Sequence, residues 1–269
     1  MSATVPILMY HSVDESCDPA YRRWTVSPER FAGHLAVLRD RGYAPLTIAE
    51  LVRRRQSGNL PDKAVAITFD DGLADFGRHA LPLLERFGFA STLFVTTGHV
   101  GATARWLADL GEGERPMLTW DEIAALPQRN VEVGAHTHSH PQLDLLATAD
   151  ARREIEHSKA LLEAHIGQRV QSFAYPHGYS TPAVRHCVAQ AGFSAACRVA
   201  DGLSRSGESP YALSRLIVTG EWTTGQMEDL LDGRFAPVAP APDRPAMLAW
   251  RLYRRARSAL AGARPVFQQ

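Results

Sequence analysis

Asp70 and Asp71 stand side by side behind the apolar run Ala64-Val65-Ala66-Ile67-Thr68-Phe69 and are followed by Gly72. Two adjacent carboxylates can divide the work, one binding a cation while the other stays free as a base. Further along, His136, His138 and His140 alternate with other residues just before Pro141. His136 and His140 can turn both imidazoles onto one ion, with His138 directed away. Together with Asp71 they form a two-histidine, one-carboxylate set that leaves coordination positions open for water and substrate, as a hydrolytic first-row metal needs. A metal lowers the pKa of its bound water to about 7, and Asp70 is then placed to take the proton. Taken singly, Asp-Asp-Gly is common turn punctuation and a histidine a common loop cap. Three histidines clustered behind a strand favour metal. A third stretch, Phe173-Ala174-Tyr175-Pro176-His177-Gly178, ends another apolar run, and its proline and glycine force a tight exit. An exposed Tyr175 backbone N–H there would serve as an oxyanion donor, although an ordinary strand-to-loop turn explains the same residues.

Each of these groups needs a strand to deliver it. Apolar runs at 6–11, 64–69, 89–97, 131–136, 172–175, 194–199 and 215–219 predict seven strands. Between them lie helical patterns: Ser27 and Pro28 open one that runs to Gly42, and Thr47 with Glu50 suggests a capping box. The helix 73–87 contains Pro82, which should kink or shorten it. Thr119 and Glu122 cap a short helix, 149–166 is the clearest one, and 182–191 and 224–231 complete the set. Arg53 to Arg55 read as a solvated helix end. Alternation of this kind argues for a parallel sheet, most simply closed into a distorted (β/α)7-type barrel with function at the C-terminal strand ends.

With 269 residues, 45% of them hydrophobic, the chain can bury one large α/β domain, assigned to 1–233. Formal net charge is zero, so no global field attracts nucleic acid, and none is expected as a partner. Cys17, Cys187 and Cys197 are widely spaced and predict no disulfide framework. The sequence shows neither a basic leader with an apolar core nor a membrane-length run, so a cytoplasmic protein is expected. Residues 234–245 carry four prolines and read as a stiff linker. From 246 to 269 a basic amphipathic helix is expected, with Trp250 and Tyr253 beside Arg251, Arg254 and Arg255. It either lies on an anionic membrane surface or packs on the barrel.

The Thr68–Gly72, His136–Pro141 and Phe173–Gly178 segments, in this order, resemble the motifs of the polysaccharide deacetylases, also called carbohydrate esterase family 4. The resemblance runs from about Pro6 to about Leu231. It implies removal of N-acetyl groups from amino sugars with one divalent metal, most simply Zn²⁺ with Co²⁺, Ni²⁺ or Fe²⁺ as alternatives. It also implies Asp70 as base, and Asp71, His136 and His140 as ligands. Many members carry a late Leu-x-x-His whose histidine protonates the leaving amine, and no histidine follows His186 here. The motif stands instead at the other end, as Leu8-Met9-Tyr10-His11. In a closed barrel the first and last strands are neighbours, so this resembles the circularly permuted branch acting on poly-N-acetylglucosamine. His11 is then the expected general acid, Leu8 a candidate lining for an acetyl pocket, and Arg215 the expected partner of Asp70. The family's Asp-Trp motif has no clear counterpart, Asp201 and Trp222 being candidates. A lipid-linked or nucleotide-linked sugar, or another amide, is the alternative substrate. A non-catalytic glycan-binding protein is the reading from a different class.

Overall fold

The computed structural model describes residues 4–234, Val238, Trp250, Tyr253 and Arg254. Seven parallel strands close into a barrel: β1 (Ile7–Tyr10), β2 (Ala64–Phe69), β3 (Ser91–Val95), β4 (Val131–Ala135), β5 (Ser172–Ala174), β6 (Ala195–Val199) and β7 (Leu213–Ile217). Closure runs through β1, whose Ile7 and Tyr10 face Ala66 and Phe69 of β2 while Leu8 and Met9 face Leu216 and Ile217 of β7. His11, the first residue after β1, therefore emerges beside the ends of both β2 and β7.

Side-chain alternation along these strands separates two cores. Leu8, Tyr10, Val65, Ile67 and Phe69 point outward to the helices, whereas Ile7, Ala66, Phe94, Ala174 and Cys197 form the inner cluster. Small inner residues leave room for large ones, and Arg215 is fully buried with its guanidinium over the Phe94 ring. Asp70 continues the inward register of Ala66 and Thr68, so it is delivered into the barrel mouth.

The helices are α1 (Pro28–Asp40), α2 (Ile48–Ser57), α3 (Leu81–Phe87), α4 (Trp120–Ala125), α5 (Thr148–Ile166), α6 (Pro182–Gln190) and α7 (Thr224–Leu231). Ile48, Leu51 and Val52 of α2 join the inner cluster and close the end of the barrel away from Asp70. Ser27 caps α1 as expected, and Thr119 with Glu122 makes a complete capping box. Thr47 accepts from Glu50 N, but Glu50 turns its carboxylate to Arg54 instead of completing the box. Arg55 is not solvated: it reaches Ser204 Oγ and O. Ahead of Pro82 the chain widens into a π turn, Phe76–Ala80, which relieves the clash a proline ring makes with the carbonyl four residues back.

The pattern overlooked several short strands outside the barrel ring: the two-residue pairs Thr4–Val5 with Ser204–Arg205 and Ser12–Val13 with Thr25–Val26, and Ala44–Leu46, which pairs with the first half of β2. Three residues with a central proline are too few to show alternation. The last barrel strand begins at Leu213, two residues before the expected start at Arg215, which places Arg215 mid-strand. All three cysteines are free. The linker at 234–245 and the helix at 246–269 lie mostly outside the described residues. Among the described residues, no helix is long and apolar enough to cross a membrane.

Candidate active site

Arg215 grips Asp70 with both arms of its guanidinium, Nη1 to Oδ1 at 2.6 Å and Nη2 to Oδ2 at 2.7 Å. A further Nη1 contact to Thr68 Oγ1 at 3.2 Å fixes the guanidinium plane, and Thr68 itself donates to the Leu8 carbonyl. Burial alone would raise the Asp70 pKa, but Arg215, with His136 and His11 nearby, outweighs it and holds the carboxylate below its usual range. Two of its four lone-pair sites are taken by Arg215, which leaves acceptor capacity for a water proton.

Asp71 takes φ of 80°, the left-handed conformation that aspartate tolerates, and turns its carboxylate toward the end of β4. Gly72 follows at φ of 89°, with Val95 so near that a Cβ would sit 3.3 Å from its Cγ1. The Asp71 Oδ1 lies 3.6 Å from His136 Nε2 and 3.4 Å from His140 Nε2. His136 Nδ1 donates to the Ala174 carbonyl at 2.8 Å, because a carbonyl can only accept, so its Nε2 presents a lone pair to the centre. Burial, with opposing pulls from Asp70 and Asp71, lowers the His136 pKa to about 4 and keeps the ring neutral, the form a metal takes. One atom from each of Asp71, His136 and His140 falls within 4.8 Å of the others. Asp71 Oδ1 is buried with no hydrogen-bond partner. An orphaned carboxylate oxygen facing two imidazole nitrogens fits a divalent cation. His138 turns away, to Thr97 Oγ1 at 3.0 Å and edge-on to His157.

His11 joins this group from the closing strand. Its ring packs on Trp24 with centroids 4.8 Å apart, and its Nδ1 is buried without a partner. Burial lowers its pKa, while Asp71 and Asp70 pull the other way. Leu8 is not a pocket lining: the β1 register turns it outward into the core between barrel and helices.

The Tyr175 N–H is not free. It donates to Cys197 O at 3.1 Å in the β5–β6 ladder, because the strand's pairing continues one residue past its apparent end. Pro176 has no N–H, and those of Gly178 and Tyr179 close the turn onto Tyr175 O and Pro176 O. Among the described residues of this turn, that leaves the N–H of His177, whose φ of 58° sets it apart and whose ring lies 4.9 Å from His140. Trp222 lies on the helix side of the barrel, where its carbonyl accepts from His34, and the Asp201 N–H closes onto Arg215 O.

Several residues around the cradle were not singled out from the sequence. Glu154 of α5 is buried and accepts from His138 N, Ser139 N and Ser139 Oγ, which pins the ligand loop. The available signal was a carboxylate among the buried positions Ala151, Ile155, Ser158 and Leu162 of that helix. Trp106 stacks on His140 at 5.1 Å and 26°. From the C-terminal segment, Arg254 is buried over the Tyr179 ring at 3.7 Å and pairs with Asp144 at 2.9 Å, while also meeting Gln142. Trp250 and Tyr253 stack on each other and stay exposed.

Three comparisons bear on this arrangement. The polysaccharide deacetylase family matches residues 57–196. The chain is 27% identical over 218 residues to the putative polysaccharide deacetylase YxkH of Bacillus subtilis, covering 81% of this chain and 72% of that one. It is 21% identical over 209 residues to the poly-beta-1,6-N-acetyl-D-glucosamine N-deacetylase of Staphylococcus aureus, covering 74% and 70%. Among solved structures it resembles the Streptococcus pyogenes deacetylase PplD in complex with acetate, with a TM-score of 0.74 at 26% identity over 86% of this chain and 98% of that one.

Proposed function

The chain belongs to the polysaccharide deacetylase family, and on that premise we propose that it is a divalent-metal-dependent hydrolase. Its proposed reaction removes acetyl from an N-acetylated amino sugar in an oligo- or polysaccharide. One juxtaposition carries the reading: Asp71, His136 and His140 converge on a single point, and Asp70, the next residue, is held ionised beside them by Arg215. An ion bound there, zinc foremost, supplies Lewis acidity to the attacking water and the acetamide carbonyl.

The protein's own groups do the rest. Asp70 takes a proton from the water that attacks the acetyl carbon, and the two-armed grip of Arg215 keeps that acceptor in place before substrate arrives. As charge grows on the carbonyl oxygen, the His177 N–H takes the donor role expected of Tyr175. His11 gives a proton to the nitrogen as the C–N bond breaks, and the Asp71 and Asp70 carboxylates beside it oppose the loss of that proton to burial. The products are acetate and a free amine on the sugar.

The test is acetate release from N-acetylglucosamine oligomers and from a lipid-linked amino sugar, with protein stripped of metal and then reloaded with zinc or cobalt. Activity that disappears on stripping and returns on reloading is expected, and so is a loss of roughly a thousandfold in Asp70→Asn. Turnover that survives stripping, or an Asp70→Asn variant at wild-type rate, would overturn the proposal. Preference for the lipid-linked sugar would change the substrate and leave the chemistry standing.

A further inference from the structure

Besides Arg215 Nε, two hydrogen-bond donors near the metal cradle have no acceptor. They are the Tyr21 hydroxyl and the Trp106 indole N–H, both buried. Native proteins leave few such groups unpaired, and a ligand is one reason for the exceptions.

Both donors are at the site. Trp106 lies flat on the ligand His140, with His99 edge-on to its ring at 4.7 Å. Tyr21 belongs to the same apolar cluster as Leu73, Leu107 and Met117, with Trp24 and Trp106 packed against it. Trp24 carries His11 on its ring. The segment between β1 and α1 and the loop between β3 and α4 therefore meet in a small cluster of their own, separate from the two barrel cores. It backs the proposed acid on one side and a ligand on the other. Burial, and next the Asp71 carboxylate, push the Tyr21 pKa well above that of a free phenol, so the hydroxyl keeps its proton. On its outer side the Arg115 guanidinium sits 5.5 Å from the Tyr21 ring and is itself bound to Asp75 at 2.6 Å. The other Asp75 oxygen, Oδ1, is also buried without a partner.

The ligand that suits this set is neutral and hydroxylic. The nearby guanidinium groups, Arg215 and Arg115, are already committed to Asp70 and Asp75, which leaves neither to hold a carboxylate or phosphate against the two donors. A hydrocarbon would leave both donors unpaired and gain nothing from them. A sugar hydroxyl both accepts and donates, so it can accept a hydrogen bond from Tyr21 or Trp106, and a second one can donate to Asp75 Oδ1. We propose that Tyr21 and Trp106 are specificity-determining residues, donating hydrogen bonds to ring or hydroxyl oxygens of the sugar whose acetamide lies at the cradle. This rests on the deacetylase reading above.

Two substrates separate recognition from chemistry: an N-acetylglucosamine oligomer, and 4-nitrophenyl acetate, which has an acetyl group and no sugar. Tyr21→Phe removes a single oxygen, and Trp106→Phe keeps a ring against His140 while removing the N–H. With zinc-loaded protein, each variant should lose roughly tenfold to a hundredfold in kcat/KM on the oligomer and stay within about twofold on the ester. The oligomer's Kd for metal-stripped protein should weaken in the same variants. Equal losses on both substrates would overturn the proposal and make the two rings supports of His140 and His11. No loss on either would also overturn it and leave the donors to buried water. If unchanged zinc-loaded protein releases acetate from neither substrate, the deacetylase reading fails first and this inference with it.

Discussion

Asp70, Asp71, His136 and Arg215 sit on or within two residues of barrel strands, and the backbone ladders there fix the direction in which the side chains leave. The rim is built otherwise. Trp24, Trp106, His177, Tyr179 and Arg254 come from loops and from the C-terminal segment, His11 leans on them from the end of β1, and these groups are held mainly by ring contacts at 3.7 to 6.2 Å. In the strand-borne half most polar atoms have a short partner; the orphans are Arg215 Nε and Asp71 Oδ1, and the second is where a cation fits. In the rim, His11 Nδ1, Tyr21 Oη and Trp106 Nε1 are all unpaired. A two-armed ion pair or a ladder bond tolerates little displacement, whereas an aromatic pair contributes about 0.5–1.5 kcal/mol over a broad range of geometries. The strand ends thus hold the metal cradle and the base, while the rim adds the proposed donors His11 and His177 and shapes what the chemistry is applied to.

The most severe test of that division is Arg215. Arg215→Met leaves Asp70 buried with no counter-charge, and removing one partner of such a pair costs about 3–5 kcal/mol. The sign of the pH effect follows from the same two forces. Burial raises the Asp70 pKa and Arg215 lowers it, so without Arg215 the carboxylate protonates at higher pH and the acidic limb of the kcat/KM profile moves upward. Arg215→Lys keeps the charge but not the fork, and should lose roughly tenfold to a hundredfold in kcat with a smaller shift of that limb. A lysine variant at full activity would break the comparison, since one point charge would then serve as well as the fixed plane.

A second test concerns the support behind β1, on the side away from the rim. His34 is fully buried; its Nε2 faces the Trp222 carbonyl at 3.1 Å and its Nδ1 faces the Tyr10 hydroxyl at 3.1 Å. A carbonyl only accepts, so Nε2 carries the proton and Nδ1 accepts from Tyr10, which makes the ring neutral. Burial lowers its pKa to about 4, with the Trp222 carbonyl opposing. The unfolded chain, with an ordinary value near 6.5, binds the proton first. Stability is therefore present above about pH 6.5 and is lost as pH falls toward 4, by about 3 kcal/mol in all. His34→Gln supplies the same donor and acceptor without a titrating site. In urea melts between pH 7 and pH 4.5 its midpoint should fall less steeply than that of the unaltered protein. Parallel curves would show that His34 binds its proton at the same pH in the folded and the unfolded chain, and would overturn this reading.

The same division explains what could be read from the sequence. Seven strands and the cradle were legible because strand alternation and short-range spacing set them, whereas the Asp70–Arg215 pair, 145 residues apart, came only from the family resemblance. Once β2 is a strand, Asp70 must follow Ala66 and Thr68 inward. Readings that depended on what a group meets across space failed. Tyr175 was placed at a strand end, but its N–H was claimed by Cys197 of the neighbouring strand. Leu8 had the right motif and the wrong face, and Arg55 looked solvated until the distant Ser204 was folded against it. Trp24 and Trp106 lie in polar segments without period, where spacing carries no information on partners. Glu154 alone among the residues not singled out left a mark, as a charge on a buried helix stripe.

Arg254 sets the finest test, because it ties the rim to a segment outside the barrel. Its guanidinium pairs with Asp144, which follows the ligand loop, and covers Tyr179, which follows the His177 turn. His177 in turn stands against His140. If the rim positions substrate and leaves the strand-borne chemistry alone, Arg254→Ala should loosen both loops and raise KM for an oligomer by about three- to tenfold. Such a loss corresponds to about 1 kcal/mol, the scale of a cation–π contact with a partly screened ion pair. Zinc affinity, measured by competition with a chelator, should not change, because the three ligand residues take their directions from β2, β4 and the loop that Glu154 pins. Arg254→Lys should recover part of the ion pair and little of the stacking, and so fall between the two. A drop in zinc affinity in Arg254→Ala would mean that the C-terminal segment holds His140 as well as the substrate. The boundary between chemistry and recognition would then run through the metal site itself.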